Sequence, residues 1–264
     1  MNLAVDGRQA YAYTAAHALD AAKPAVVFVH GAGLDHSFWG LQSRYFGYHG
    51  RNVLALDLPA HGRSAGPPLA TIGEMADWVF RAMDAQQLPK AAIVGHSMGS
   101  LVALECAARA PGRVERIALL GTAYPMKVGE AFLEAARVND QAAYDMETIW
   151  GHAPQVPLGG NPNPGMWMYG DTLARLARLA PGVLHNDLRA CNGYAGGEAA
   201  AAKVKCPVLF ILGARDQMTQ AKAGLAFAQL LPGAKVVQLA PSGHSMMAES
   251  PDATLDALIA FLRA

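Results

Sequence analysis

The chain has 264 residues, 52% of them hydrophobic, with 21 basic and 21 acidic side chains cancelling to zero formal charge. A chain this long buries roughly 70–75% of its unfolded surface, so it needs neither disulfides nor a structural metal to hold a core. The balanced charge supplies no field to draw nucleic acid or an anionic membrane surface, so neither is expected as a partner and a small neutral substrate is the default.

The N-terminal MNLAVDGRQAYAYTAA has no basic region ahead of a long apolar run, so no signal peptide is expected. Leu3 to Val5 and Ala10 to Tyr13 flank Asp6-Gly7, a hairpin turn signal. Apolar runs then recur at Ala25–Val29, Asn52–Leu56, Ala91–Gly95, Arg116–Leu120, Pro207–Leu212 and Lys235–Leu239. The later runs are apolar throughout, as strands covered on both faces require. Helical patterns lie between them, at Phe38–Tyr48, Ile72–Gln87, Met98–Ala110, Ala221–Leu231 and Pro251–Leu262, with Pro111-Gly112 and Pro232-Gly233 marking helix ends. This alternation predicts an α/β fold with a mainly parallel sheet.

One region breaks the rhythm. Between the strands ending near Gly121 and starting near Pro207, the patterns are helical: Val128–Val138, Gln141–Trp150, Asp171–Leu179 and Val183–Cys191, with the proline- and glycine-rich Ala153–Gly165 among them. Helices inserted between two strands of one sheet read as a cap, so residues 1–121 and 203–264 are expected to form the core and 122–202 the cap. No apolar segment is long enough for a membrane helix, since Gly95, His96, Ser97, Glu105 and Arg109 break the greasiest stretch. Cys106, Cys191 and Cys206 are far apart and odd in number, without metal-ligand spacing, which fits a reducing cytoplasm.

The stretch AAIVGHSMGSLVAL places Ser97 between a strand and a helix in G-x-S-x-G. Gly95 and Gly99 make room for a turn too sharp for side chains, and Ser97 is expected in a strained conformation with its hydroxyl above the sheet. Such a hydroxyl needs a base, and the base needs an orienting group. His244 follows the last strand in LAPSGHSMMAESP, and Asp216 stands just outside the strand ending ILGARD. Taken singly, Asp216 reads equally as a helix cap and His244 as a loop histidine; together they give the order Ser97, Asp216, His244 at strand ends. The Met98 N–H at the helix start and the Ala32 N–H in the glycine-containing HGAG loop are the expected oxyanion donors.

The motifs HGAG (His30–Gly33), DLPAHGRS (Asp57–Ser64), GHSMG (Gly95–Gly99), GARD (Gly213–Asp216) and SGH (Ser242–His244) together resemble the α/β-hydrolase superfamily, closest to its small capped carboxylesterase-like members. The resemblance implies an eight-stranded, mostly parallel sheet with an antiparallel strand near its start, a helical cap inserted before the seventh strand, a serine hydrolase mechanism on a small ester, and no cofactor. His30, His61 and Asp57 resemble residues that fix loops. His96 adjoins the serine but points elsewhere on a tight turn and is expected to be structural. Carbon–carbon hydrolases of this kind usually carry asparagine where His96 stands, and the dehalogenases and epoxide hydrolases use aspartate in place of Ser97. A lactonase, a carbon–carbon bond hydrolase, a perhydrolase and a small-molecule receptor stay open as alternatives. Met126, Met166, Trp167, Met168 and Tyr169 read either as pocket lining or as cap packing. Arg175, Arg178 and Arg189 are expected on a solvated face opposite Leu173, Leu176 and Leu179.

Overall fold

The computed structural model describes residues 1–159 and 166–263; residues 160–165 of the Ala153–Gly165 separator lie outside the described residues. Strands β1 (Asn2–Val5) and β2 (Arg8–Tyr13) form the expected hairpin, with Asp6 (φ 52°) and Gly7 (φ 72°) both left-handed, as a type I′ turn requires. There follow β3 (Ala25–Val29), a 3₁₀ turn (His36–Trp39), α1 (Gly40–Tyr48), β4 (Asn52–Asp57), α2 (Ile72–Asp84), β5 (Ala91–His96), α3 (Met98–Arg109) and β6 (Val114–Leu120). Helix α2 starts at a capping box, Thr71 accepting from the Glu74 N–H while the Glu74 carboxylate accepts from the Thr71 N–H.

Between β6 and β7 (Val208–Gly213) come α4 (Glu130–Arg137), α5 (Gln141–Trp150), a 3₁₀ turn (Val156–Leu158), α6 (Met168–Leu176), α7 (Val183–Gly193) and α8 (Gly197–Ala201). The chain then runs through α9 (Ala221–Ala228), β8 (Lys235–Leu239), α10 (Met246–Glu249) and α11 (Pro251–Arg263). The short α10 was not expected from the sequence; it fills the interval between His244 and the final helix.

The eight strands form one sheet in the order β1-β2-β4-β3-β5-β6-β7-β8. Pairs β1–β2 and β2–β4 are antiparallel and all others parallel. Side chains of a strand alternate between faces, and the core divides accordingly. Val27, Val29, Leu54, Leu56, Ile93, Ile117, Leu119 and Phe210 pack with α2, α3 and Phe227 of α9 on one face. Val26, Phe28, Val53, Ala92, Val94, Ala118 and Ile211 pack with Phe46 of α1 and Leu258, Phe261 and Leu262 of α11 on the other. Double coverage explains the continuous apolar runs. Strand β8 departs from that expectation: it pairs only with β7, and Lys235, Val236 and Gln238 are exposed because an edge strand is left half uncovered.

Of the inserted helices, α4, α5, α6 and α7 pack on one another, whereas α8 packs on α3. Leu176, Leu179 and Leu184 close over Gly33 in the loop after β3, leaving a Cβ at that position only 2.9 Å from Leu176. The insertion therefore stands at the end of the sheet where β3 and β5 deliver their loops. Arg175 does not lie on a solvated face as its helical spacing suggests. Its side chain is only 12% exposed, paired with Asp171 and stacked over Phe38, because α6 leans onto the segment after β3. Arg178 and Arg189 are exposed. Trp167 and Met166 are also exposed, Met168 is buried with Ala153 and Val156, and Tyr169 packs against His152. Among the described residues, no helix is long and apolar enough to cross a membrane.

Candidate active site

Ser97 stands between β5 and α3 with φ 51° and ψ −119°, a conformation costly for a residue with a Cβ. The surroundings over-determine it. Its N–H donates to the Leu120 carbonyl at 2.9 Å, and its own carbonyl accepts from the Ser100 N–H at 2.8 Å. A Cβ at residue 95 would lie 2.0 Å from the Gly99 carbonyl oxygen, and one at residue 99 would lie 2.2 Å from that of Val29. Only bare α-carbons let strand and helix approach this closely. Residue 31 is similarly confined, by His96 and Ser97 themselves.

Asp216, just beyond β7, is 5% exposed and fully engaged. Oδ1 accepts from the Met218 and Thr219 N–H groups, each at 2.8 Å; Oδ2 accepts from Thr219 Oγ1 at 2.7 Å and from His244 Nδ1 at 2.7 Å. A carboxylate can only accept, so the imidazole proton sits on Nδ1 and the Nε2 lone pair is bare. That Nε2 is buried and has no hydrogen-bond partner among the described residues. Burial opposes a charged His244, yet the Asp216 carboxylate beside it prevails and holds the ring above its ordinary 6.5.

Ser97 and His244 make no direct hydrogen bond in this structure. They are joined through His96, whose Nε2 donates to the His244 carbonyl at 2.9 Å and whose ring centroid lies 4.6 Å from that of His244. The N–H groups of Ala32 and Met98 donate to no protein acceptor among the described residues. Ala32, Ser97 and Thr219 line one cavity of about 170 Å³, walled by Met126, Phe132, Trp150, Leu188 and Met218.

A family model described as the alpha/beta hydrolase family matches residues 26–257. The chain belongs to that family. Among relatives of this hydrolase, (E)-2-((N-methylformamido)methylene)succinate hydrolase of Acinetobacter baylyi is 24% identical over 243 residues, covering 90% of this chain and 89% of the relative. The pimeloyl-[acyl-carrier protein] methyl ester esterase of Chromobacterium violaceum is 28% identical over 240 residues, covering 84% and 87%. The crystal structure of the enol-lactonase from Burkholderia xenovorans LB400 matches along the whole of both chains with a TM-score of 0.89 at 24% identity, a likeness of fold.

Three supporting side chains of this hydrolase escape sequence reasoning. Asp187, on α7, accepts from the Gly33 N–H at 2.9 Å and from His61 Nε2 at 2.8 Å, tying the insertion to the loop that carries Ala32. Burial opposes charge on both partners; their mutual attraction prevails, raising His61 and lowering Asp187. Glu249, on α10, accepts from the Ala153, Gly243 and Ser245 N–H groups and so shapes the loop bearing His244. Glu147, on α5, lines the cavity. None belongs to a motif, and only a fold that spans 96 residues between Ala153 and Glu249 brings such pairs together.

The other buried histidines hold backbone. His30 donates from Nδ1 to the Gly31 carbonyl and accepts the Leu58 N–H at Nε2, and burial lowers it to about 4. Burial likewise keeps His96 neutral. Asp35, His36 and Asp57 converge within 4.8 Å, as metal ligands would. The Asp57 carboxylate is nonetheless filled by the His36 N–H and ring and by the Arg63 N–H, which makes it a loop clamp.

Proposed function

We propose that this hydrolase cleaves small, fairly apolar carboxylic esters through an acyl-enzyme on Ser97, with Asp216 and His244 completing the catalytic set and helices α4–α7 as a cap over it. The supporting observation is the tautomer of His244, fixed by Asp216 so that a bare, otherwise unpartnered Nε2 remains as base. His244 takes the Ser97 proton as Oγ attacks the carbonyl carbon, and the negative oxygen that forms is met by the Ala32 and Met98 N–H groups. His244 returns the proton to the departing alcohol. Water, deprotonated by the same nitrogen, then attacks the acyl-enzyme and frees the acid and Ser97. The naming of relatives as an esterase and an enol-lactonase agrees with ester chemistry, a lactone being a cyclic ester.

The test is multiple turnover of a panel of short-chain esters, lactones and β-diketones by wild type and Ser97→Ala. Ester turnover is expected to fall by about 10³-fold or more in the variant, with its circular dichroism unchanged. Near-native turnover without the hydroxyl would overturn the assignment, and a single slow turnover would point to a receptor.

A further inference from the structure

Among the described residues, the buried carboxylates of the site and its supporting loops accept hydrogen bonds, Glu147 excepted. Asp216, Asp187 and Glu249 each accept two or more hydrogen bonds. Glu147 is 7% exposed and lines the same cavity as Ser97, but makes no hydrogen bond or ion pair with any described residue. Its Oε2 is sealed from solvent and unpartnered. Leaving such a group unsatisfied costs stability, and a ligand that supplies the missing donor recovers the loss. Burial pushes the carboxyl up to about 7, with Asp187 adding to the effect and His244 opposing it.

The surroundings select the donor. Phe132 and Trp150 meet edge to face at 5.8 Å on the cavity wall, and aromatic faces attract cations. Lys127 lines the cavity too, but it is exposed, its Nζ donates to the Asn192 carbonyl at 3.3 Å, and it makes no ion pair with Glu147. In its ionised form, a carboxylate in such a cavity repels anionic substrates and attracts cationic ones, and a bound cation favours that form.

We propose that Glu147 anchors a basic nitrogen of the substrate, so that the preferred esters carry an amino group on the chain that enters this cavity. The ammonium donates to the ionised Glu147 carboxylate while the ester carbonyl lies at Ser97. This specificity rests on the reading of Ser97 as nucleophile.

The experiment compares methyl ω-amino esters of increasing chain length with the methyl alkanoates and ω-hydroxy esters of matched length, by pH-stat, in wild type, Glu147→Gln and Glu147→Leu. At one length the amino ester should lead its alkyl counterpart in kcat/KM. That ratio should fall about ten- to hundredfold in both variants, the range for hydrogen bonds to charged groups. Thermal unfolding accompanies it: removing an unsatisfied carboxyl should leave Glu147→Leu at least as stable as wild type, whereas a structural glutamate would be missed. Calorimetric binding of n-alkylammonium ions to Ser97→Ala, with and without Glu147→Gln, reads the anchor without turnover. Glu147-dependent amine binding in a protein that hydrolyses no ester would keep the anchor and remove the hydrolytic reading. Ester hydrolysis with no amino preference at any length, a preference for the hydroxy ester, or a ratio indifferent to Glu147 would overturn the anchor alone.

Discussion

Asp187→Asn tests whether the inserted helices and the loop after β3 are held together by a buried ion pair. Asparagine keeps an acceptor for the Gly33 N–H but removes the charge that faces His61 at 2.8 Å, both partners being essentially buried. Breaking one side of such a pair costs about 3–5 kcal/mol. For a chain of this size that lowers the unfolding temperature by roughly 10 °C. The deficit should depend on pH with a definite sign. His61 is raised above 6.5, so its contribution is full below 6.5 and fades as pH rises through the raised value. Asp187 is lowered below 3.8, so its contribution is full above 3.8 and is lost as pH falls through the lowered value. Both are present between 3.8 and 6.5. Urea unfolding of wild type and variant should therefore give the larger gap near pH ~6 and a smaller one near pH ~9. A gap under about 1 kcal/mol, or one equal at the two pH values, would show that the pair is not charged as argued.

On the proposed mechanism His244 must be neutral to accept the Ser97 proton, and Asp216 holds it above 6.5 against the effect of burial. The acid limb of kcat/KM for a neutral ester should accordingly have its half-point above 6.5, and a half-point below that value would contradict the electrostatic reading. In Gly95→Ala the new methyl would lie 2.0 Å from the Gly99 carbonyl oxygen, so the strand and helix must part. A loss of about 3 kcal/mol in unfolding free energy is expected, together with reduced ester turnover, and a variant of wild-type stability would show that the turn tolerates a Cβ.

Much of the fold was legible because its signals are local. Residues 25–29 and 91–94 are apolar at every position since both faces of the sheet are covered, and that shows in any short window. The G-x-S-x-G turn was readable for the same reason: closest approach of strand and helix forces glycine at fixed offsets from Ser97. Asp216 and His244 each follow a parallel strand, and such strands deliver their following loops to one edge, where the structure sets the two side chains 2.7 Å apart. Where local pattern was followed beyond its reach it failed. Strand β8 carries Lys235 and Gln238, but no short window says which strand lies at the edge, and the spacing of Arg175 could not disclose that α6 leans against Phe38.

The sequence by itself thus determined the strand–helix alternation, the strained serine and the placing of Asp216 and His244 just after strands, all properties of short segments with fixed geometry. Only the tertiary structure decided that Asp187 would be occupied by His61 and Gly33, that Glu249 would gather three N–H groups, and that Glu147 would find no partner among the described residues in the cavity it shares with Ser97. A carboxyl group has the same formula in all three places. What distinguishes them is which donors the folded chain carries within about 3 Å, and the chain brings those donors from far along its length.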